Sequence, residues 1–521
     1  MTTRRVTTFA AATAAVAILL TGCSSSDAPA SAPAAGGAVT PEAVTAAVGA
    51  LDGIVTADLQ ATGIPGAAVA VVYRGQVVYA KGFGVRQVGR PEPVDADTVF
   101  QVASVSKAIA GSVIGAAATQ KRASWTDTIA SRLPGFTLSD PYVGANVTVA
   151  DMLAHRSGLP ESQFSTDILE DLGYSQADIL ARQRLLPLEP FRETWGYTNY
   201  GLTSGGEAAA AAAGTTWADL AQQTIFGPLG MASSSYRYAD VANRPDRAAL
   251  HKREANGSWT PSLTFDVDPQ APAGGASTSV NDMTKWMTML LAEGKNGATT
   301  VIDTANLNQM WGPQVQRAPV EDVGGPFQFY GEGWNVERDS SDRLSVNHSG
   351  AFQTGSGTNV KLLPTEGLGI VTLTNGTPDG LAEAINQRFF DQVENGKQSR
   401  DWLALYRQAF AQLSEPVDPT DYTKPAPQVT PPQAPTAYVG TYRSDFWGDL
   451  VVSTAPDGTL SMVVGPERQQ YPLAHYTGDT FWFTPRGESA FGNSGLVFAG
   501  PQLTVNAWNK VPGLGVFRKV G

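Results

Sequence analysis

Cysteine is almost absent from this chain. The 521 residues hold one, Cys23, so no internal disulfide can form and no thiol is left over for catalysis or metal binding. Histidine is scarce too, with four residues at 155, 251, 348 and 475, too scattered for a metal cluster. Several active-site fingerprints are missing as well. There is no G-x-S-x-G elbow, which argues against an α/β-hydrolase, and no G-K-[ST] phosphate loop, G-x-G-x-x-G turn or H-E-x-x-H pair. No cofactor and no metal are therefore expected. A Ser-His-Asp triad stays open on composition, but nothing marks its nucleophile. Positive charge is in deficit: 36 Lys and Arg stand against 48 Asp and Glu, a net charge of −12. That argues against a nucleic-acid partner, which would need a basic footprint. No repeat of solenoid period is present.

What is present describes an ordinary globular protein, 42% apolar and 16% charged, long enough for more than one domain. Its first residues stand apart. Arg4 and Arg5 precede an apolar stretch from Phe9 to Leu20, too short for an ordinary membrane span and laid out like a secretory signal. The stretch ends in Leu20-Thr21-Gly22-Cys23, which is similar to a bacterial lipobox. The expectation is a signal peptide over 1–22, acylation of Cys23, and an exported protein anchored to the bacterial cell membrane. Twin-arginine export fits "RRVTTF" only loosely.

Residues 23–40, rich in Ser, Ala, Pro and Gly, read as a lipidated flexible tether. Thr40-Pro41-Glu42 then sets an N-cap, a proline at the first helical position and an acidic first turn, predicting a helix to about Thr62. Alternation over 66–84 around Arg74-Gly75 predicts a β-hairpin. A mainly helical pattern follows from about 100 to 340, including an amphipathic helix over 282–294 that ends in Gly294. From Leu344 strands return, at 359–364 and 368–376. Strands at both ends with helices between predict one α+β domain over 41–414. A proline-rich linker, 415–436, leads to 437–521, where short alternating runs and the Asp457-Gly458 turn predict a small antiparallel barrel.

Three segments could carry chemistry. In "FQVASVSKAIAG", Lys107 is the only lysine in the chain with serine three residues before it. On a helix this places Ser104 and Lys107 on one face. Serine is a poor nucleophile until something takes its proton, and a lysine desolvated by neighbours such as Val102, Ala103 and Ala108 can become that base. A capping serine beside a surface lysine fits the same four residues. In "ETWGYTNYGLTSGG", Tyr197 and Asn199 can project the same way from a Gly-rich loop. A tyrosine near an ammonium loses its proton more easily, and an asparagine amide can hold Lys107 and a substrate carbonyl. Loop packing is the alternative. In "SVNHSGAFQTG", His348, Ser349 and Gly350 open the strand region, and the Ala351 N–H is a candidate oxyanion donor. An ordinary polar turn is the alternative there.

Ser104-Val105-Ser106-Lys107, Tyr197-Thr198-Asn199 and His348-Ser349-Gly350, in this order, resemble the three motifs of the serine β-lactamase and penicillin-binding-protein superfamily. The Tyr-x-Asn form is similar to the class C β-lactamase-like branch, which includes D-alanyl-D-alanine carboxypeptidases, D-aminopeptidases and esterases. The stretches "GIPGAAVAVVYRGQVVYAKGFG", "DMLAHRSGLP" and "LLPTEGLGIVTLTN" agree, and the resemblance runs from about 41 to 395. The tail resembles the lipocalin-like barrel attached to some relatives.

The resemblance implies a β-lactamase/transpeptidase-like domain, an antiparallel sheet flanked by helices, followed by that barrel. It implies that Ser104 is acylated, that Lys107 and Tyr197 move protons, and that Asn199 positions substrate. The Ser104 and Ala351 amides would form the oxyanion hole, with His348 and Ser349 lining the strand side. His155 reads as structural. One departure stands out, since a typical β-lactamase has lysine where His348 stands. Histidine near pH 7 is mostly neutral, so a substrate carboxylate loses a permanent cation. If the His348 charge matters, activity should change across pH 6–7. The expected substrates are D-residue peptides or esters. The alternatives are β-lactam hydrolysis, a penicillin-recognising or cell-wall-binding protein with little turnover, or a barrel that is itself the ligand binder.

Overall fold

The Thr40 hydroxyl accepts from the Ala43 N–H at 3.2 Å, and Pro41 opens helix α1, Pro41–Thr62, which stops at Gly63 in the left-handed conformation. The hairpin follows as β1, Gly66–Tyr73, and β2, Gln76–Gly84. Arg74 and Gly75 both take positive φ (48° and 76°), the backbone a two-residue hairpin needs to match strand twist. The computed structural model describes residues 38–318, 327–339, 341–455 and 457–520. The signal peptide expected over 1–22, Cys23 and nearly all of the tether lie outside these residues.

Helix α2, Val105–Thr119, carries the Ser104 motif. Short helices follow, among them α3, Thr166–Asp171, then α4, Asn199–Ala212, and α5, Val280–Leu291. Ser279 caps α5 by accepting from the Asp282 N–H, so the helix starts two residues before the expected 282. It also ends three residues before Gly294, because the chain turns through Glu293 and Gly294, both at positive φ. Strands β3, Val315–Gln316, β4, Gln328–Tyr330, β5, Asn335–Arg338, β6, Leu344–Phe352, β7, Ser356–Leu363, and β8, Leu368–Thr374, complete the sheet. Helices α6, Leu381–Asn395, and α7, Trp402–Leu413, close the domain.

The main sheet is antiparallel throughout, in the order β2-β1-β8-β7-β6-β5-β4-β3. Strands from residues 66–84 thus pair with strands from 344–374. All eight residues of β1 are buried because both faces of the sheet are covered. Val69 and Val71 pack with Leu51 and Val55 of α1 and with Ile385 and Phe389 of α6. Ala68, Ala70 and Val72 belong to the opposite core, with Ile109 of α2 and with Met283 and Trp286 of α5. Burial on that second face is what seats α2 beside the sheet.

Beyond the Pro-rich segment, eight strands form a closed antiparallel barrel, β9 to β16: Gly440–Ser444, Gly448–Thr454, Leu460–Val464, Gln469–Thr477, Thr480–Phe483, Ser494–Ala499, Gln502–Val505 and Val516–Val520. Side chains such as Tyr442, Trp447, Met462, Leu503 and Phe517 fill its interior. The segment expected as an extended linker is partly built into this barrel. Tyr422 is buried, its hydroxyl donates to Asp418 at 2.7 Å, and Asp418 accepts from the Gly495 N–H at 2.9 Å.

Helix α2 lies so close to the loop after β4 that a methyl group on Gly111 would overlap the carbonyl oxygen of Glu332. Overpacking of this kind costs about 1–3 kcal/mol. The Gly111→Ala variant should unfold at a lower temperature, by several degrees in a calorimetric scan.

Candidate active site

Ser104 sits one residue ahead of α2, and Ala103 before it holds φ at +46°. A non-glycine residue in that region is strained. Two hydroxyls of β7 hold the segment from outside: Ser356 donates to the Gln101 carbonyl at 2.6 Å and Thr358 to the Val102 carbonyl at 2.8 Å. Gly350 of β6 lies against the same turn. A β-carbon there would overlap the Val102 carbonyl and come within 2.9 Å of the Ser104 nitrogen. Only glycine permits this approach.

The Ser104 side chain does not cap its helix. Its Oγ lies 2.8 Å from Lys107 Nζ. Lys107 is fully buried, so the surface-lysine alternative falls away. Nζ also meets Asn199 Oδ1 at 2.7 Å and the Ala273 carbonyl at 3.0 Å. Burial pulls the lysine down to about 7, with Asp167 opposing. A neutral amine keeps two N–H donors and one lone pair. The Asn199 and Ala273 oxygens take the two donors, which leaves the lone pair facing the Ser104 hydroxyl. That is the arrangement a general base needs.

Asn199 is oriented from behind. Its Nδ2 donates to Asp167 Oδ2 at 2.9 Å, and its backbone N–H donates to Ser162 Oγ at 2.9 Å. Ser162 Oγ in turn donates to the same carboxylate oxygen at 2.9 Å. The carboxylate therefore settles which end of the amide faces Lys107. Burial lifts Asp167 to about 6. One N–H of Nδ2 is thus engaged, and Asn199 lines the cavity beside Ser104.

Tyr197 lies beside Lys107, whose Nζ stands 4.7 Å from its ring centroid. Here the structure differs from the sequence expectation. Burial pushes the phenol upward, so Tyr197 is a neutral hydroxyl that can donate and relay a proton rather than a ready phenolate. His155 packs against its ring at 4.6 Å and accepts from the Thr198 N–H through Nδ1, which places the histidine as a support beneath the site. His348 Nε2 lies 2.8 Å from the Tyr330 hydroxyl and Nδ1 lies 2.6 Å from the Ser349 carbonyl. Burial, then the nearby Lys107, pull His348 down to about 3. The expected change of His348 charge across pH 6–7 is therefore corrected: the ring is already neutral below that range.

Ser104, Tyr197, Asn199, His348, Ser349, Gly350 and Ala351 line one cavity of about 450 Å³, with Lys107 behind Ser104. Ser349 Oγ accepts from Asn359 Nδ2 at 3.0 Å. His251 is engaged elsewhere, at the Val88 N–H and the Asn375 carbonyl. Sequence reasoning missed Asp167, Ser162 and Tyr330, and missed Glu488, Ser489 and Phe491 of the barrel, which line the same cavity. Among the described residues no group of three His, Cys, Asp or Glu side chains is placed to hold a metal.

The lysine gives the site its pH dependence. The free amine is the minor form below its value of about 7 and the major form above it, so labelling of Ser104 by a fluorophosphonate should rise through pH 7 and level off. Lys107→Ala should slow labelling roughly 10²–10⁴-fold, the span of general-base assistance. His348→Gln should leave the midpoint of the rise where it is.

A family model described as Beta-lactamase matches residues 51–393. The chain is 26% identical over 399 residues to the unguisins hydrolase ungD' of Aspergillus campestris, covering 74% of this chain and 73% of that protein. It is 23% identical over 418 residues to Beta-lactamase-like protein 2 of Dictyostelium discoideum, covering 78% and 72%. Among solved structures, the octameric penicillin-binding protein homologue from Pyrococcus abyssi superposes with a TM-score of 0.58 at 19% identity, over 88% of this chain and 98% of that one. That last likeness is one of fold. With more than half of its length matched by the family model, the chain belongs to the beta-lactamase family and is a serine hydrolase.

Proposed function

We propose that this hydrolase acts through an acyl-enzyme on Ser104, on D-amino-acid-containing peptides or short esters, outside the cytoplasm. The observation that carries the reading is the fully buried Lys107 amine, 2.8 Å from Ser104 Oγ with acceptors for its other hydrogens. The amine takes the serine proton as Oγ adds to the substrate carbonyl. The developing oxyanion meets the Ser104 and Ala351 N–H groups. The tetrahedral adduct collapses, and the proton passes by way of Tyr197 to the departing amine or alkoxide. Water then adds to the ester carbonyl, its proton following the same route in reverse, and the acid leaves as Ser104 recovers its hydrogen.

Two observations support this substrate class over β-lactams. His348 is neutral and supplies no cation for a β-lactam carboxylate. Among the described residues, seven carboxyl-bearing side chains line the cleft against two cationic ones, Arg317 and Lys361. Burial raises several of these acids, Asp167 to about 6 and Asp171 to about 7. An entering ammonium draws them back to the ionised form, so the lining favours a substrate with a free amino group, the aminopeptidase side of the reading.

The test is a panel of D-amino-acid amides, D-Ala-D-Ala peptides, nitrocefin and short esters, run beside Ser104→Ala. Turnover of the D-amino amides or esters should exceed that of nitrocefin and vanish in the variant. A long-lived penicillin adduct without turnover would instead favour a penicillin-recognising protein, and a covalent probe found on another residue would overturn the assignment of Ser104.

Anchoring through Cys23 is part of the same proposal and rests on the lipobox-like Leu20–Cys23. Expressed in a bacterial host, the chain should incorporate labelled palmitate into the membrane fraction. Cys23→Ser should lose that label, and equal labelling of both would remove the anchor.

A further inference from the structure

We propose that the barrel loop Gly487–Phe491 is a wall of the substrate cleft and sets how far a bound substrate extends on that side. The C-terminal barrel would then be a specificity element of the enzyme. The inference rests on the hydrolase reading above.

Glu488, Ser489 and Phe491 line the same cavity as Ser104, Tyr197 and Asn199. They are held there by two carboxyl groups that work in opposite directions across the seam. Asp171, the last residue of α3, accepts from the Glu488 N–H at 2.9 Å and the Ser489 N–H at 2.8 Å. Glu488 accepts from the Gln353 N–H at 2.5 Å and the Thr354 N–H at 2.9 Å. Gln353 and Thr354 directly follow β6, the strand that carries His348 to Ala351. The barrel loop is thus tied to both sides of the cleft, to the helix bearing Asp167 and to the turn after the oxyanion strand.

The fit along this seam is close. Gly487, at φ +116°, lies where a β-carbon would overlap the Asp171 carboxyl group. Gly465 lies against the Leu172 carbonyl in the same way, and Gly448 lies within 2.5 Å of the Tyr174 hydroxyl by the same measure. The Tyr174 hydroxyl donates to the Trp447 carbonyl at 2.7 Å, and Arg182 donates to the Asp445 and Phe446 carbonyls at 2.9 and 2.7 Å. Gln469 donates to the Asp171 carbonyl at 2.6 Å. These contacts hold the barrel against α3 and the residues after it, and the loop's side chains bound the space open to substrate.

The experiment uses the full chain with Phe491→Ala, which widens the wall, and Ser489→Trp, which narrows it. For each, kcat/KM is measured on D-alanine esters and peptides of graded length. A variant without turnover is read by its labelling rates with fluorophosphonates of graded bulk, and thermal melting reports on folding. The ratio of long to short substrates should rise about tenfold or more in Phe491→Ala and fall by a similar factor in Ser489→Trp, the scale of a changed pocket contact. Ratios equal to wild type in both variants, with melting unaltered, would overturn the inference and leave the loop a packing element. Failure of a fluorophosphonate to label Ser104 in the wild-type chain is a separate result, which would remove the hydrolase reading itself.

Discussion

The rest of the site depends on one lysine kept out of water. Lys107 has no exposed surface, and its nitrogen touches a nucleophile, an amide oxygen and a backbone carbonyl. Removing an ammonium from water is costly, and the protein answers by making the uncharged form accessible near neutrality. Every neighbour then has a defined task. Asn199 must present oxygen and not nitrogen, so Asp167 holds its other end. Tyr197 must stay protonated, so it is buried with His155 against its ring. The same burial that arms the lysine keeps His348 neutral.

This desolvation is produced by layering. Helix α2 can carry a buried polar pair because both faces of the sheet are covered and because glycines allow unusually close approach. Gly111 admits the loop after β4, and Gly350 admits the nucleophile turn. The strained backbone at Ala103 persists because Ser356 and Thr358 hold the carbonyls on either side of Val102's peptide bonds, those of Gln101 and Val102.

Much of this was legible in the chain because local rules decided it. The cap and proline at 40–41, the paired positive-φ positions at 74–75 and the serine three before a lysine each carry their meaning within a few residues. The helix over 282–294 starts earlier because Ser279 caps it and ends earlier because the chain turns through Glu293 and Gly294 at positive φ, signals the apolar pattern does not show. Asp167 was not legible: an aspartate in "FSTDILED" has no pattern that ties it to Asn199, 32 residues away. The neutrality of His348 depends on burial that no spacing reveals. The contacts of Glu488 exist only once the barrel docks, and the burial of Tyr422 and Asp418 needs the same partner.

The order of strands in the sheet has a consequence for how the enzyme comes into being. β1 lies between β2 and β8, so the first strand to be made waits for a partner roughly three hundred residues later. Contacts of such long range form slowly and late. A chain emerging from its N-terminus exposes serine and lysine early, as an unremarkable helical fragment wet on all sides, where the amine holds its proton and the hydroxyl is inert. Hydrolytic power arrives only with the closing strands, so a nascent chain carries no premature reactivity toward its surroundings.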